Sequence, residues 1–453
     1  MGSLLNSLVT VASSMDVTQK AIETAINNVT NAETPGFAKQ TLSLLAKRFE
    51  LDSGLIGGVD SGPLMSSRAE YLERGVWEQS SQEGRYAEQS GDLARLEPVF
   101  DVAHNSGIAG AIDNLFKAFS QWSVNPNDMP IRQTVLQSAQ DLAHSFNYAA
   151  STMGTISRDL ETQTSSNIDK INQLGQRIQA YNAEVRTDSR KLQDPGLDAQ
   201  IHSTLEELSK YVAFGSIRAA DGSYAITIGG QASLVSGDHF YPISADSSNL
   251  NTIIRDAAGG DITVQVSGGS LKGVLDVHNN FIPGILSSLD TLAQSVADRV
   301  NSVLAGGVDK NGSTPTVDLF AYDAAQGAAA TLSANPLAPD QLAGALPGAP
   351  GGNGNALDLA SLASSREINS FTFTQFYGQI GGKVGNALAS SREEEQTQSM
   401  LVSQARRIRE QHSAVSLDEE ATNLIAFQRQ YEANAELVRV LNSLTETTIG
   451  LLG

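Results

Sequence analysis

Both ends of the chain carry apolar residues that recur at alternating steps of three and four positions. This spacing keeps one face of a helix against a partner helix, as in a coiled coil. The two stripes lie at opposite ends of 453 residues, so a single chain pairs them only by bringing its termini together. The pattern therefore predicts a subunit of an assembly, held through its terminal helices. The predicted interface residues are Leu5, Leu8, Ala12, Met15, Ile22, Ile26 and Val29 near the start, and Leu417, Ala421, Leu424, Phe427, Tyr431, Ala435, Val438 and Leu441 near the end.

Between the two ends, helical spacing of apolar residues predicts further helices. Stripes at 131–153 and 171–185 indicate two long amphipathic helices. Shorter stripes at 108–122 and 201–212 indicate two more, and the spacing resumes at 281–303. The centre of the chain is therefore expected to be mainly helical.

One segment follows a period of two instead. Apolar residues alternate with small or polar residues at 224–228, after the turn-forming pair Asp221 and Gly222, and again at 262–266. This alternation predicts a small β domain inserted between helices. Residues 306–355 are rich in Gly, Ala, Pro, Asn and Ser without any sustained period, which predicts a loop region.

The final helical stretch contains a start signal. No glycine or proline occurs between Asn386 and Ile449, but Ser416 and Glu419 have the spacing of a capping box. Two helices in series are therefore expected, with a boundary at Ser416.

Together these patterns predict a mainly α fold with a small inserted β domain, in which both chain ends and the central helices form a long helical bundle. The terminal coiled-coil assembly domain is expected to comprise residues 1–36 and 416–453. Residues 37–212 and 271–415 are expected to form a helical rod domain that carries the loop region, and residues 213–270 the inserted β domain.

Composition narrows the classes of partner. The chain has 30 basic and 50 acidic residues, a net charge of −20, which repels phosphate backbones and anionic lipid headgroups. We therefore expect neither nucleic acid nor a membrane as a partner. The chain contains no cysteine, which excludes disulfides and thiolate chemistry. Its first basic residue, Lys20, follows the apolar run of the first helix instead of preceding it, so a cleaved secretory leader is not expected.

Motifs that announce catalysis fail on inspection. Gly381, Gly382 and Lys383 resemble the end of a phosphate-binding loop, but the first glycine and the metal-binding hydroxyl of that motif are missing. Asp309 begins a run that resembles a calcium loop without its later oxygen ligands. The six histidines show no metal-ligand spacing. The sequence therefore predicts no catalytic, cofactor-binding or metal-binding residues, and a protein that is not an enzyme.

The two ends resemble one known family in order. The residues that follow the first stripe, and the stretch from Ser416 to Leu444, resemble the amino- and carboxy-terminal signatures of the rod, hook and hook-associated proteins of bacterial flagella. Each signature alone is weak, because a capped helix followed by a polar turn is common, but both at opposite ends are specific. The motif residues of the amino-terminal signature are Asn27, Asn28, Asn31, Thr34, Pro35, Gly36 and Phe37.

Within that family, the middle of the chain resembles the first hook-associated protein of the junction between hook and filament. Two departures concern the outer part: 197–209 keeps only its apolar spacing, and 306–355 leaves little room for a second outer domain. The resemblance rests mainly on a run that contains Leu115, Phe116, Phe119, Trp122, Asn125, Pro126, Asp128, Arg132, Val135, Leu136, Ala139, Leu142 and Phe146.

The resemblance implies a structural subunit of the extracellular flagellum at the hook–filament junction, exported through the flagellar type III apparatus. The partners it implies are other copies of the chain in a ring, hook protein, hook-associated protein 3, and a cytosolic chaperone on the carboxy-terminal helix before export. Another axial protein of hook or rod shares both end signatures and stays an alternative. An exported cell-wall hydrolase or a secreted adhesin are more distant alternatives.

The apolar stripes and this resemblance suggest how assembly proceeds. Isolated terminal helices bury too little surface to offset the entropy of ordering them. We therefore expect residues 1–30 and 417–453 to become ordered only when neighbouring subunits pack around them.

Overall fold

The computed structural model describes residues 2–49, 57–100 and 107–450, and within them the chain is mainly helical with small antiparallel sheets. The predicted fold class is confirmed. The helices are α1 (Gly2–Thr30), α2 (Glu70–Leu96), α3 (Gly107–Val124), α4 (Met129–Thr187), α5 (Pro195–Tyr211), α6 (Gly269–Asp276), α7 (Ile282–Ala305), α8 (Ala328–Thr331), α9 (Gly354–Ser361), α10 (Phe373–Ser413) and α11 (Leu417–Gly450). The strands are β1 (Gln40–Ala46), β2 (Val59–Ser66), β3 (Phe214–Arg218), β4 (Tyr224–Ile228), β5 (Ala232–Ser236), β6 (His239–Phe240), β7 (Ser244–Asp246), β8 (Ile253–Arg255), β9 (Phe320–Ala321) and β10 (Ser333–Ala334).

Helix α4 is the spine of the molecule. Its 59 residues give a length of about 88 Å at 1.5 Å per residue. The side chain of Asp128 accepts a hydrogen bond from the Ile131 amide at 3.3 Å, and Pro130 occupies the first turn. The two helices predicted at 131–153 and 171–185 are therefore parts of one helix. The buried Ile156, Leu160 and Thr164 continue the same helical spacing between the two stripes, so one continuous buried face serves both cores.

The first core surrounds the amino-terminal half of α4. It combines α3, α7 and the start of α10, and the fully buried Trp122 lies in it. The loop region 306–355 contributes to this core through buried side chains such as Leu319, Phe320 and Leu342, although its elements are short. The prediction of a loop there missed this packing, because single apolar residues without a period give no signal.

The second core surrounds the carboxy-terminal half of α4. It contains residues of α2, α5, α6 and the β segment, and the buried Trp77 is one of its members. Each core therefore holds one of the two tryptophans of the chain.

The inserted β segment contains a four-stranded antiparallel sheet in the order β3, β4, β5, β6. Gly222 forms the predicted turn with a φ of +82°. The alternation at 262–266 does not form a strand, and residues Thr263–Gln265 adopt a 3₁₀ turn instead. The reason is local: the Asp261 carboxylate accepts hydrogen bonds from the amide and hydroxyl of Thr263, which closes a turn.

Strands β1 and β2 form a separate antiparallel ribbon in the register Gln40↔Ser66 that sequence analysis did not single out. Several of its apolar residues, including Leu44, Leu45 and Met65, are more than half exposed. Without a buried face the ribbon lacks the strict alternation that makes a strand recognisable.

In the part of the chain that the structure describes, five asparagines fasten strands and loops to helices by one device, which we call the asparagine clamp. The side chain amide donates to the carbonyl of a facing residue while its oxygen accepts from the amide of that same residue, so the asparagine imitates a paired strand. The five clamps, with distances of 2.7–3.0 Å, join Asn28 to Gln40, Asn172 to Ile243, Asn182 to Tyr224, Asn279 to Thr252 and Asn301 to Phe320.

Removal of one clamp should loosen its strand. Asn182 is fully buried and holds both backbone groups of Tyr224. Asn182→Ala leaves these groups without their partner, at a cost of about 2 kcal/mol. Hydrogen exchange of 224–236 measured by mass spectrometry should speed up accordingly. Gln176→Ala, an exposed position on the same helix, should leave exchange unchanged; equal exchange in both variants would show that the clamp carries no stability.

Candidate assembly interface

The terminal helices α1 and α11 lie side by side and run in opposite directions. The Asn434 side chain donates to the Ser14 hydroxyl at 3.1 Å, while residues 21–28 of α1 line the same cavity as 419–427 of α11. At the base of the pair, the Lys39 ammonium lies 2.7 Å from Glu419 and 3.4 Å from the buried Glu420. Burial alone lowers the pKa of Lys39, but the hydrogen bonds and charges of Glu419 and Glu420 outweigh it and raise that pKa. The ion pair therefore stays charged.

The predicted stripe of α1 lies beside the buried face of this helix. Within the single chain, Leu8, Met15 and Ile22 are half-buried, whereas Leu5, Ala12, Ile26 and Val29 are exposed. The fully buried positions of α1 are Val17, Thr18, Ala21, Ala25 and Asn28.

The predicted stripe of α11 is divided in the same way. Its half-buried members are Leu424, Phe427, Ala435, Val438 and Leu441, and its exposed members are Leu417, Ala421 and Tyr431. Much of the apolar surface at the predicted interface therefore stays uncovered within one chain. The expectation that these helices become ordered only on assembly stays a prediction.

A second stripe of α11, which sequence analysis missed, faces away from the half-buried one. Leu437, Val440 and Leu444 are 50%, 48% and 49% exposed. Ala426 and Ala433 extend the same heptad spacing toward the start of the helix, and both are exposed. The signal was present at 426, 433, 437, 440 and 444, but the first stripe masks it when a helix is assumed to have only one apolar face.

The signature motif after α1 forms a compact turn. Asn28 makes one of the clamps, and the Phe37 amide donates to the Thr34 carbonyl at 3.0 Å. The Asn31 side chain donates to the Asn27 carbonyl and accepts from the Thr34 hydroxyl, while Pro35 is exposed. Gly36 has a φ of +76°, and a Cβ on it would lie 2.4 Å from the Ala199 carbonyl oxygen of α5. The glycine is needed for both reasons.

Arg68 joins this turn to the helices below it. Its guanidinium donates to the Gly36 carbonyl at 2.5 Å, to Glu73 of α2 at 2.5 Å and to Asp198 of α5 at 2.9 Å. Both Arg68 and Glu73 are buried. One side chain therefore connects three separate segments of the chain.

Arg409 of α10 extends the same network. It lies 3.1 Å from the second oxygen of Glu73 and 2.6 Å from Glu206 of α5, and Arg406 lies 2.9 Å from Glu206. Burial alone raises the pKa of Glu206, but the hydrogen bonds and positive charges of Arg409 and Arg406 outweigh it and lower that pKa. Through these arginines, the carboxylates of Glu73 and Glu206 tie α2 and α5 to α10.

His202 lies within this network as a neutral group. Burial, followed by the positive charges of Arg68, Arg218 and Arg409, holds the pKa of His202 well below its ordinary value. Its ring stacks on Trp77 and lies 3.2 Å from the Tyr224 hydroxyl.

In residues 2–49, 57–100 and 107–450, no group of His, Asp and Glu side chains is arranged to hold a metal ion. Among the helices of those residues, none combines the length and apolarity needed to cross a membrane.

Comparison with known proteins defines the class of protein. Residues 93–320 match the family model of the FlgK flagellar hook-associated protein helical domain, and 410–451 match that of the FlgEFG flagellar basal body rod protein C-terminal region. The carboxy-terminal match is shared with rod proteins, whereas the central match is specific to the hook-associated protein. This is an axial protein of the bacterial flagellum.

Relatives match over the whole chain. Flagellar hook-associated protein 1 of Bacillus subtilis (strain 168) is 26% identical, with 100% of this chain and 99% of the relative covered. The protein of the same name from Escherichia coli (strain K12) is 22% identical, with 100% of both covered. The solved flagellar hook junction protein FlgK of Burkholderia pseudomallei has the same fold, with a TM-score of 0.67 and 16% identity over 76% of this chain and 100% of that one.

The FlgK family model covers just over half of the chain, and the chain belongs to the FlgK family of flagellar hook-associated proteins. It is a structural, non-enzymatic component of the extracellular flagellar axis at the hook–filament junction. The resemblance inferred from the two end signatures and the central run is thereby confirmed.

Proposed function

We propose that the chain forms the junction by packing its α1 and α11 pair against the pairs of neighbouring copies in a ring. The observation that carries this proposal is the pair of apolar stripes on α11. One stripe is half-covered by α1, and the other, Leu437, Val440 and Leu444, points away from α1 and is about half exposed. A helix with two apolar faces has room for a second helical partner.

Energetics favour a modest contact that is repeated many times. Covering the exposed half of each large side chain contributes on the order of 1 kcal/mol. The exposed residues of α1, including Leu5, Val9 and Ile26, add to this surface. No single pair of subunits is held strongly by these residues alone. The arrangement we propose is therefore a closed ring, in which every subunit contacts two neighbours.

Neighbours above and below the ring are proposed from the same reasoning. The relatives are called hook-associated proteins, so hook protein is the partner proposed on one side. Hook-associated protein 3 is proposed on the other side, toward the filament. Before assembly the exposed stripe of α11 needs cover. This supports the proposal that a cytosolic chaperone binds this helix until export through the type III apparatus.

The assembly surface is tested by charging the outer stripe of α11. Leu437→Asp with Leu444→Asp places two carboxylates on it. The variant is produced in a strain that lacks the native gene, which is then examined by electron microscopy. We expect hooks without filaments and filament protein lost to the medium, while the isolated variant keeps its helical circular dichroism. The control variant is Asn442→Asp, which adds a charge at an exposed position off the outer stripe. Produced in the same deletion strain, it should give hooks with attached filaments.

Secretion separates the two proposed roles of α11. An assembly defect leaves the variant in the culture medium, whereas loss of chaperone binding leaves it in the cell. Attached filaments and full motility with both leucines replaced would overturn the proposed interface.

A further inference from the structure

Helix α2 passes from one core to the other beside α4. On α2, Trp77 belongs to the second core and Leu93 to the first. On α4, Leu160 belongs to the first core and Ile168 to the second. The two helices therefore run in opposite directions past the boundary between the cores, and the residues between these positions form that boundary.

Polar side chains join α2 to α4 at this boundary. Gln163 of α4 donates to the Glu88 carboxylate of α2, and Arg95 of α2 pairs with Asp159 of α4. Asp92 of α2 lies between these two contacts along the helix. It is only 3% exposed, and its Oδ2 atom has no hydrogen-bond partner. A buried carboxylate oxygen without a partner makes the charged form of the group costly.

Glu88 and Asp92 bring two like charges together, and we call these two residues the α2 carboxyl pair. They are four residues apart on one helix, which places them on the same face with their Cβ atoms about 5–6 Å apart. Glu88 is also held close to α6, because a Cβ built on Gly273 would lie 2.8 Å from the Glu88 Cβ. The pair is therefore enclosed between α2, α4 and α6.

The cations of α2 and α6 near the pair are engaged by other carboxylates. Arg95 pairs with Asp159, and Arg85 lies 2.7 Å from Asp276 of α6. Lys272 of α6 lies 3.0 Å from that same aspartate. Among the residues that the structure describes, neither member of the carboxyl pair forms an ion pair.

The remaining elements around the pair add further titratable groups. His278, in the turn after α6, lies 3.5 Å from Glu161 of α4. Glu395 of α10 accepts a hydrogen bond from the Ser90 hydroxyl of α2 and carries another negative charge on the far side of that helix. The surroundings therefore give the pair little compensation for two negative charges.

Burial and the neighbouring charge both favour a proton on the pair. Burial, and then the charge of Glu88, raise the pKa of Asp92 to about 7, although the charge of Arg95 opposes them. Burial also raises the pKa of Glu88, against the hydrogen bond from Gln163. A carboxyl group with a raised pKa stabilises the folded chain while it keeps its proton. For Asp92 this stabilisation is lost as the pH rises from the ordinary value of 3.8 to about 7.

We propose that the α2 carboxyl pair is a proton-dependent contact, which holds α2 against α4 at the boundary between the cores when a proton is bound and loosens when both carboxylates are charged. With a proton on Asp92, the pair carries one negative charge and gains an O–H donor. Without it, two like charges lie side by side in a buried site, and they separate by movement of α2 away from α4.

The flagellar axis lies outside the cell, so this contact meets the pH of the surroundings. The subunit should therefore be stiffer at the boundary between its cores in acid than in alkaline medium. This inference goes beyond the proposed ring contact and does not rest on it, because it concerns α2 and α4 within one chain.

Asp92→Asn tests the contact, because it removes the titrating group and keeps its shape. Hydrogen exchange of peptides from 86–96 is measured by mass spectrometry in the native chain and in the variant. The two are compared at one pH at a time, so that the pH dependence of exchange itself cancels. The ratio of the native rate to the variant rate should rise by about tenfold or more between pH 5 and pH 8.

Two further variants separate this contact from general charge effects. Asp169→Asn removes an exposed carboxylate of α4 and should keep the native pH dependence. Glu88→Gln leaves Asp92 in place without its like charge, so exchange at pH 8 should fall between that of the native chain and that of Asp92→Asn. Should Asp92→Asn lose its helicity, Glu88→Gln decides alone, by slower exchange than the native chain at pH 8.

A ratio that stays constant from pH 5 to pH 8 for the folded variant of the pair would overturn the proposal. A change of the same size for Asp169→Asn would overturn it as well, because the effect would then come from charge in general. Filament attachment does not enter these measurements. The failure of this contact and the failure of the proposed ring contact are therefore distinguishable.

Discussion

Gly36→Ala is expected to detach the motif turn after α1 from helix α5. Two costs add at this position. A non-glycine residue at a φ of +76° is disfavoured by about 1–2 kcal/mol, and the new Cβ would lie 2.4 Å from the Ala199 carbonyl oxygen, which forces the turn away from α5. Movement of the turn also breaks the bond between Arg68 and the Gly36 carbonyl. Together we expect about 3 kcal/mol, concentrated on 31–40 and not on either core.

Hydrogen exchange by mass spectrometry measures this loss locally. Peptides from 31–40 should exchange faster in the variant, while those of α3 and α7 keep the native rate. Gly230→Ala is the matched control, because Gly230 has a φ of +73° with open space around a built Cβ. It carries the backbone cost without the collision. The quantity compared is the increase in exchange rate of the peptides around each substituted glycine. An equal increase in both variants would show that the contact with α5 is unimportant.

The second large effect is expected for Arg132→Met. Arg132 is only 2% exposed, and its guanidinium donates to the carbonyls of Pro126, Pro339 and Leu342 at 2.8–3.1 Å. It also lies over the ring of Trp122 at 5.4 Å. Burial lowers its pKa, although the negative charges of nearby acidic residues oppose this. Methionine fills similar space but removes the charged donor shared by the three carbonyls. Pro126 keeps the Trp122 indole and Leu342 keeps the Gly344 amide, whereas Pro339 loses its guanidinium partner. With the contact over Trp122 also lost, we expect a cost of about 3 kcal/mol.

Tryptophan fluorescence during urea unfolding measures this effect in one core. Trp77→Phe in both proteins leaves Trp122 as the sole reporter of the first core. The indole nitrogen of Trp77 has no hydrogen-bond partner, so this background change is mild. The midpoint should fall clearly for Arg132→Met. Arg158→Met, an exposed arginine on the same helix, should move it little; a similar midpoint for both would contradict the role given to Arg132.

Much of the fold was predictable because most helices are marked by helical spacing of apolar residues and by capping or helix-breaking residues at their ends. The boundary at Ser416 is confirmed, since α10 ends at Ser413 and α11 begins at Leu417, with the Glu419 amide donating to the Ser416 hydroxyl. The turn at Gly222 is also confirmed. The strand predicted around Thr263 was wrong, because the Asp261 side chain closes a turn within an alternating pattern.

The candidate site was less predictable for a different reason. Apolar stripes show which helices seek partners, but they do not show which neighbour covers which face of α11. The ionic network of Arg68 and Arg409 joins residues as far apart in sequence as Glu73 and Arg409. Charged residues on amphipathic helices resemble an ordinary solvated face, so the sequence does not reveal such a network. The asparagine clamps also leave no signal in the sequence. Each asparagine binds only the backbone of a residue elsewhere in the chain, so the identity of that residue does not matter.

Helix α4 belongs to both cores, and its backbone hydrogen bonds continue without interruption from Met129 to Thr187. A rotating flagellum applies torque and bending to its axial parts. In this molecule, the two cores are joined by one continuous helix. They cannot slide past each other at a flexible linker, because α4 runs through both without one. The subunit should transmit a twist as a stiff body, leaving compliance to the contacts between subunits.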